Sequence, residues 1–340
     1  MLARKPRILI LAALPSLAAC GGMQGPTATA VAPPSAAVVA SVPIGRGPTP
    51  LAISPDGSTV YAASVGTLFA IRTDTNAVAA KARIDPYATG IAVTRDGKRV
   101  LVISAQSSSL AVLSAPDLGQ TSRIELPQAG LYPGGYSRVR VSNDGRTAWL
   151  ANDALFVTSV DLDAGTASRM LLDMRPNDVA PSLDGRTVYV LGCKQFCTTG
   201  TIEAIDVASQ KVTATIDVGP GPYGLALSAD GTRAYTVNLG GPSISVVDVA
   251  RGTVQATLPV GVQPTGLAVA PDGARVYVSS NRTGAFTVLS GDGSAVLGTV
   301  QLAGDARDVV VSPDGRRVYV STSAPDAVVV LDTTRLLSGT

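Results

Sequence analysis

An Asp-Gly pair recurs along this 340-residue chain at Asp56-Gly57, Asp96-Gly97, Asp144-Gly145, Asp184-Gly185, Asp230-Gly231, Asp272-Gly273 and Asp314-Gly315. The spacings are 40, 48, 40, 46, 42 and 42 residues. Asp-Gly is a strong hairpin signal, because Gly accepts positive φ while Asp caps the turn. The surrounding text repeats as well. Gly-Leu-Ala-Val-Ala-Pro-Asp-Gly-Ala-Arg-Val-Tyr-Val stands at 266–278, and Asp-Val-Val-Val-Ser-Pro-Asp-Gly-Arg-Arg-Val-Tyr-Val at 308–320. A period of this length marks a repeat architecture, in which one unit cannot bury both its faces alone and must stack on its neighbours.

The sixth repeat parses into four strands: a (266–270), the Asp272-Gly273 turn, b (275–279), a loop holding Asn281 and Arg282, c (285–289), and d (295–302) after Gly291-Asp292-Gly293. Four-stranded units of 40–48 residues are the blades of a β-propeller. Gly (35) and Pro (23) are plentiful and aromatic residues make up only 4%. That composition argues against a helical bundle, and it leaves Val, Ala, Leu and Ile to build the core. The last repeat supplies a, b and c (327–331) but no full d. The missing strand lies at the other end, where Val42-Pro43-Ile44-Gly45-Arg46-Gly47-Pro48-Thr49 is in phase with Leu258-Pro259-Val260-Gly261-Val262-Gln263-Pro264-Thr265. The expectation is an all-β, seven-bladed propeller of four-stranded antiparallel blades over residues 38–340. The segment near Val38–Ile44 would close the ring as strand d of the last blade and remove its free edges. An open solenoid is the alternative, and it leaves this complementarity unexplained.

The repeat words resemble the YVTN family of propeller repeats over about residues 38 to 334. Repeats two and three depart from the pattern, with Leu101 and Trp149 where Tyr is expected.

The N-terminus reads as an address. Arg4, Lys5 and Arg7 precede a short apolar run, Ile8 to Leu14, and then Leu17-Ala18-Ala19-Cys20. This is the layout of a secretory signal peptide, too short in its apolar part to span a bilayer. Leu-Ala-Ala-Cys resembles the lipobox of bacterial lipoproteins. That resemblance implies cleavage of residues 1–19, lipidation of Cys20, and a flexible tether over 20–37 that is free of charge and periodicity. Gly21 in place of the family's retention Asp implies the outer membrane, facing the periplasm, in a two-membrane cell. An ordinary signal peptide with an incidental Cys is the other reading.

Loss of the leader takes the 27 basic residues to 24, against 25 acidic ones, a net charge of −1. With no Lys/Arg run elsewhere, the footprint of a nucleic-acid binder is missing. The chain contains no His, which removes Ser/His/Asp triads, His-ligated haem and most zinc sites. No cofactor and no metal is expected, and the chain is read as a monomer. The seven recurring Asp-Gly pairs sit one per repeat instead of converging as calcium ligands would, so they are read as turns. Cys193 and Cys197 flank three residues of a b–c loop, and export favours a disulfide there; a redox pair is the alternative.

In propellers, ligands usually bind on the face of the d–a and b–c loops, around the channel mouth. Candidates at the start of strand a are Tyr136, Arg138, Asn177, Asp178, Tyr223, Arg307 and Asp308, with Asn152, Asp153, Asn238, Asn281 and Arg282 from b–c loops. Several blades place Thr or Gly at those strand starts, as in Pro264-Thr265-Gly266, so the charges depart from the repeat. They read either as a site for a polar or anionic ligand or as ion pairs neutralising one another in a wet channel. The functional expectation is a non-catalytic, envelope-anchored module that binds a protein, glycan or small polar ligand. The alternative is a lactonase-like hydrolase or an accessory subunit of a periplasmic dehydrogenase.

Overall fold

The computed structural model describes residues 37–47, 49–105, 107–127, 136–152 and 154–337. Residues 1–36, which hold the expected leader, Cys20 and most of the expected tether, lie outside them. Among the described residues the chain forms seven four-stranded antiparallel sheets, the blades of a propeller.

Blade six shows how the sequence makes them. Its strands are Pro264–Val269, Arg275–Ser280, Ala285–Ser290 and Val296–Gln301, named a to d from the channel outward. Strand a begins two residues before the alternating pattern, because Pro264 pairs with Ser280 across a bulge and Gly266 with Ser279. The same bulge recurs in blades two to five, between Ala88 and Gly90, Tyr136 and Arg138, Pro176 and Asp178, and Pro222 and Gly224. In blade seven it widens to span both Arg307 and Asp308. Bulges re-aim side chains next to sites, and here they turn the first residues of each inner strand toward the channel.

Seven apolar clusters fill the seven seams between blades. In one, Tyr277 and Phe286 of blade six pack against Val309, Val318 and Val320 of blade seven. Each such Val or Leu contributes about 1.5–3 kcal/mol when removed from water. No blade completes a core by itself, so the ring is the unit of stability.

Closure comes from the N-terminus. Val38–Pro43 lies antiparallel to Ala327–Asp332 and is the outer strand of blade seven, from Val38 opposite Leu331 to Pro43 opposite Ala327. Gly47 N–H then donates to the Asp326 carboxylate at 3.1 Å, pinning the entering chain to the b–c loop of the same blade.

The seven recurring Asp-Gly pairs form the a–b turns, with φ of their glycines between 69° and 74°. In six turns a Ser or Thr two residues earlier donates its hydroxyl to the Asp, as Ser54 does to Asp56 at 2.6 Å. Those hydroxyls are the chief reason that the carboxyls of Asp56, Asp96, Asp144, Asp184, Asp230 and Asp314 lie below their ordinary value, at Asp230 about 2. A depressed folded-state pKa contributes stability that is complete above the unfolded value and is lost as pH falls through the folded one. The melting temperature should therefore hold from pH 7 to about pH 5 and fall between about pH 4 and pH 2. Thermal melts followed by circular dichroism check this, and a flat profile to pH 2 would contradict it.

Candidate ligand site at the channel mouth

In register, the innermost strands carry Pro50, Gly90, Arg138, Asp178, Gly224, Gly266 and Asp308 at one position. Glycine answers a close approach: a Cβ on Gly266 would meet the Arg307 carbonyl at 2.7 Å, and one on Gly90 the Val139 nitrogen at 2.9 Å. The same closeness lets an aspartate reach the next blade. Asp178 Oδ1 accepts from its neighbour Val179 N–H at 2.8 Å, and Oδ2 from Leu225 N–H of blade five at 3.0 Å. Asp308 repeats this with Val309 N–H at 3.0 Å and Leu51 N–H of blade one at 2.8 Å. Leu225 and Leu51 are equivalent residues, so two carboxylates perform one task at two seams.

The bulge residues extend the stitching. Ser137 Oγ donates to the Asn177 carbonyl at 2.8 Å, Asn177 Nδ2 to the Pro222 carbonyl at 2.6 Å, and Thr265 Oγ1 to the Arg307 carbonyl at 2.9 Å. Each bond runs from one blade to the next.

The guanidiniums divide into two kinds. Arg138 Nη1 donates to the Thr89 carbonyl at 3.2 Å, its Nε lies 3.9 Å from Asp178 Oδ2, and its guanidinium sits 5.3 Å over the Tyr223 ring. Burial works against its charge, but Asp308, then Tyr223 and Asp178, outweigh that and raise its pKa. Arg138 of blade three thus feels carboxylates of blades four and seven, and Arg138, Asp178, Tyr223 and Asp308 converge. Arg307 is different. Its Nε is buried without a hydrogen-bond partner, and among the described residues no carboxylate pairs with it. Asp308, next in sequence, has both oxygens engaged by backbone.

One member escaped the sequence reading. Arg140 Nη2 donates to Asp178 Oδ2 at 3.3 Å. The signal was available, since Ala52, Ala92, Ala180, Ala226 and Ala268 occupy the equivalent position in five other blades. With Arg140 the mouth holds three guanidiniums against two carboxylates.

The expectation that these charges face water needs correcting for Asp178, which is 1% exposed. Asn152 and Asn238 are also not on the loop surface: both are fully buried at the ends of b strands. Asn238 Nδ2 donates to Ser243 Oγ and Ser245 Oγ, and Asn152 Oδ1 accepts from Ala154 N–H, so these amides close their own loops. Asn281 Oδ1 accepts from the N–H of Arg282, which is exposed with φ 69°. Asp153 and the Tyr136 side chain lie outside the described residues. Cys193 and Cys197 are joined by a disulfide with Cα atoms 5.0 Å apart, and between them Phe196 stands 84% exposed with φ 68°. Among the described residues no group of three or more potential metal ligands occurs, and no helix is long and apolar enough to cross a membrane.

No family model and no curated protein matches the sequence. Solved structures do match. A chain described as Kuenenia stuttgartiensis hydrazine synthase superposes with a TM-score of 0.75 at 21% identity, covering 84% of this chain and 96% of that one. The Myceliophteria thermophila Cps50 (Swd1) β-propeller domain superposes with a TM-score of 0.75 at 12% identity, covering 87% and 99%. At these identities the likeness carries the fold and no activity.

Proposed function

We propose that the chain is a non-catalytic binding module of the YVTN propeller type, tethered to the bacterial envelope through a lipidated Cys20. It takes an anionic group of a ligand or partner at the channel mouth. The observation behind this is the surplus of guanidinium over carboxylate there, with no carboxylate paired to Arg307 among the described residues. Arg presents a planar fork suited to carboxylate and phosphate. The hydrolase reading loses support from the same geometry. Both mouth carboxylates accept backbone N–H groups of two blades, so the structure already employs them in holding the ring.

Citrate is a suitable probe of the mouth. Isothermal titration of the full chain is expected to show salt-sensitive binding, and Arg307→Ala is expected to weaken it at least tenfold. Absence of binding, or equal binding by the variant, would overturn the site.

The anchor is tested separately. Cys20→Ala is expected to leave the protein unlipidated, moving it from the detergent phase to the aqueous phase on partitioning, with loss of the acyl mass. Equal partitioning and an unchanged mass would overturn the anchor.

A further inference from the structure

Away from the channel, blade four buries a carboxyl that the ring does not use. Glu203 lies in strand c, Gly200–Asp206, between Val190 and Thr215, and is 4% exposed. The equivalent residues of other blades are neutral, Thr158, Ser245, Thr287 and Val329 among them. Its Oε2 has no hydrogen-bond partner. It lines a cavity of about 370 Å³ at the seam with blade three, which Leu171, Asp173, Lys194, Val212 and Thr215 also line. Burial first, and then a hydrogen bond to Asp173 and the charge of that carboxylate, push the Glu203 carboxyl up, while Oε2 is left over. Asp173 is held low by Lys194, whose Nζ lies 2.8 Å away.

We propose that this cavity binds the ammonium of a lysine side chain presented by a partner protein. An orphaned carboxyl oxygen requires a donor. Asp173 and the raised Glu203 carboxyl face a single Lys194, so an incoming ammonium, which favours the charged form of Glu203, suits the pocket and an anion does not. Leu171 and Val212, 72% and 46% exposed, wall the entrance where an aliphatic stem would lie. A compact ammonium suits a single oxygen better than a planar guanidinium does.

A protein source is favoured over a free amine by what adjoins. A second cavity, of about 450 Å³, shares Asp173 and Lys194 and runs up to Leu155, Met174 and Phe196. The disulfide ties the backbone of the loop that carries Phe196, whose exposed ring is open to an apolar neighbour of the lysine.

Fluorescence-detected binding of acetyl-Leu-Lys-Leu-amide to the full chain tests this. The same peptide with norleucine for lysine is expected to bind at least tenfold more weakly, since it cannot form the charge-assisted bond. Glu203→Gln should lose a similar factor. Lys194→Ala removes the internal ammonium that competes for Asp173 and should tighten binding. Arg307→Ala should leave it unchanged, which separates this site from the channel mouth. No binding, equal binding of both peptides, or wild-type affinity in Glu203→Gln would overturn the proposal. Should Glu203→Gln fail to fold, the norleucine comparison and Lys194→Ala decide. Butylamine saturating as tightly as the peptide would also overturn it, by assigning the pocket to free amines.

Discussion

Deleting residues 38–45 is expected to lower the melting temperature by about 10 °C or more, or to abolish the cooperative transition. The segment contributes the outer strand of blade seven, in register from Val38 to Pro43 against Leu331 to Ala327. Val42 and Ile44 belong to the cluster between blades seven and one, with Leu51, Val60, Phe69, Tyr319 and Val328. Burying two such side chains contributes about 1.5–3 kcal/mol each, and each ladder hydrogen bond about 1 kcal/mol net. The loss is then about 6 kcal/mol or more, a large part of the 5–15 kcal/mol that a domain has. It also bares Ala327–Asp332 as an apolar edge open to pairing between molecules. Deleting 21–36, a segment with no apolar periodicity, should leave the melt within about 1 °C of wild type. A wild-type melt for the 38–45 deletion would mean that the ring does not depend on this strand.

Asp178→Ala should destabilise more than any other single change at the mouth. It strips acceptors from Val179 N–H and Leu225 N–H and removes the carboxylate beside Arg138 and Arg140. Breaking a buried charge pair from one side costs about 3–5 kcal/mol, because the remaining charge is left uncompensated. A melting temperature lower by about 6 °C is expected in a ring of this size. Asp308→Ala removes equivalent backbone bonds, but Asp308 is half-buried and has no cation within ion-pair distance among the described residues, so its loss should be smaller. Asp178→Asn keeps one acceptor oxygen and should fall between Asp178→Ala and wild type. Equal melts for Asp178→Ala and wild type would show that the carboxylate braces nothing.

Much of this was legible beforehand. The phase of the Asp-Gly turns set the blade count, because only Gly holds φ near 70° there without strain. The in-phase match of Val42–Thr49 with Leu258–Thr265 located the closing strand, since a missing d strand at one end must be found at the other. The bulges were not legible: each lies at the first residues of strand a, ahead of the alternation that would mark it, and so strand a of blade six begins at Pro264 instead of Gly266. Position in the repeat identified Arg138, Asp178, Tyr223 and Asp308 as neighbours, but it carried no information on burial. Hence the repeat places Asp178 among the channel charges but does not show that it is buried and holds the backbone of the next blade. Asn152 and Asn238 were misplaced because a polar residue at a strand end looks the same whether it caps its own loop or faces a ligand. Glu203 stands out only once the strands are in register and its neighbours prove to be neutral.

The central claim is a division of labour at the mouth, in which Asp178 holds blades together and Arg307 is left for an anion. Melting temperature and citrate affinity, measured side by side on Asp178→Ala and Arg307→Ala, test it most directly. The account predicts that Arg307→Ala melts within about 2 °C of wild type, in the range of a substitution that removes no buried bond, yet binds citrate at least tenfold more weakly, while Asp178→Ala melts early. An Arg307→Ala protein that melts as early as Asp178→Ala, or that binds citrate as tightly as wild type, would contradict it.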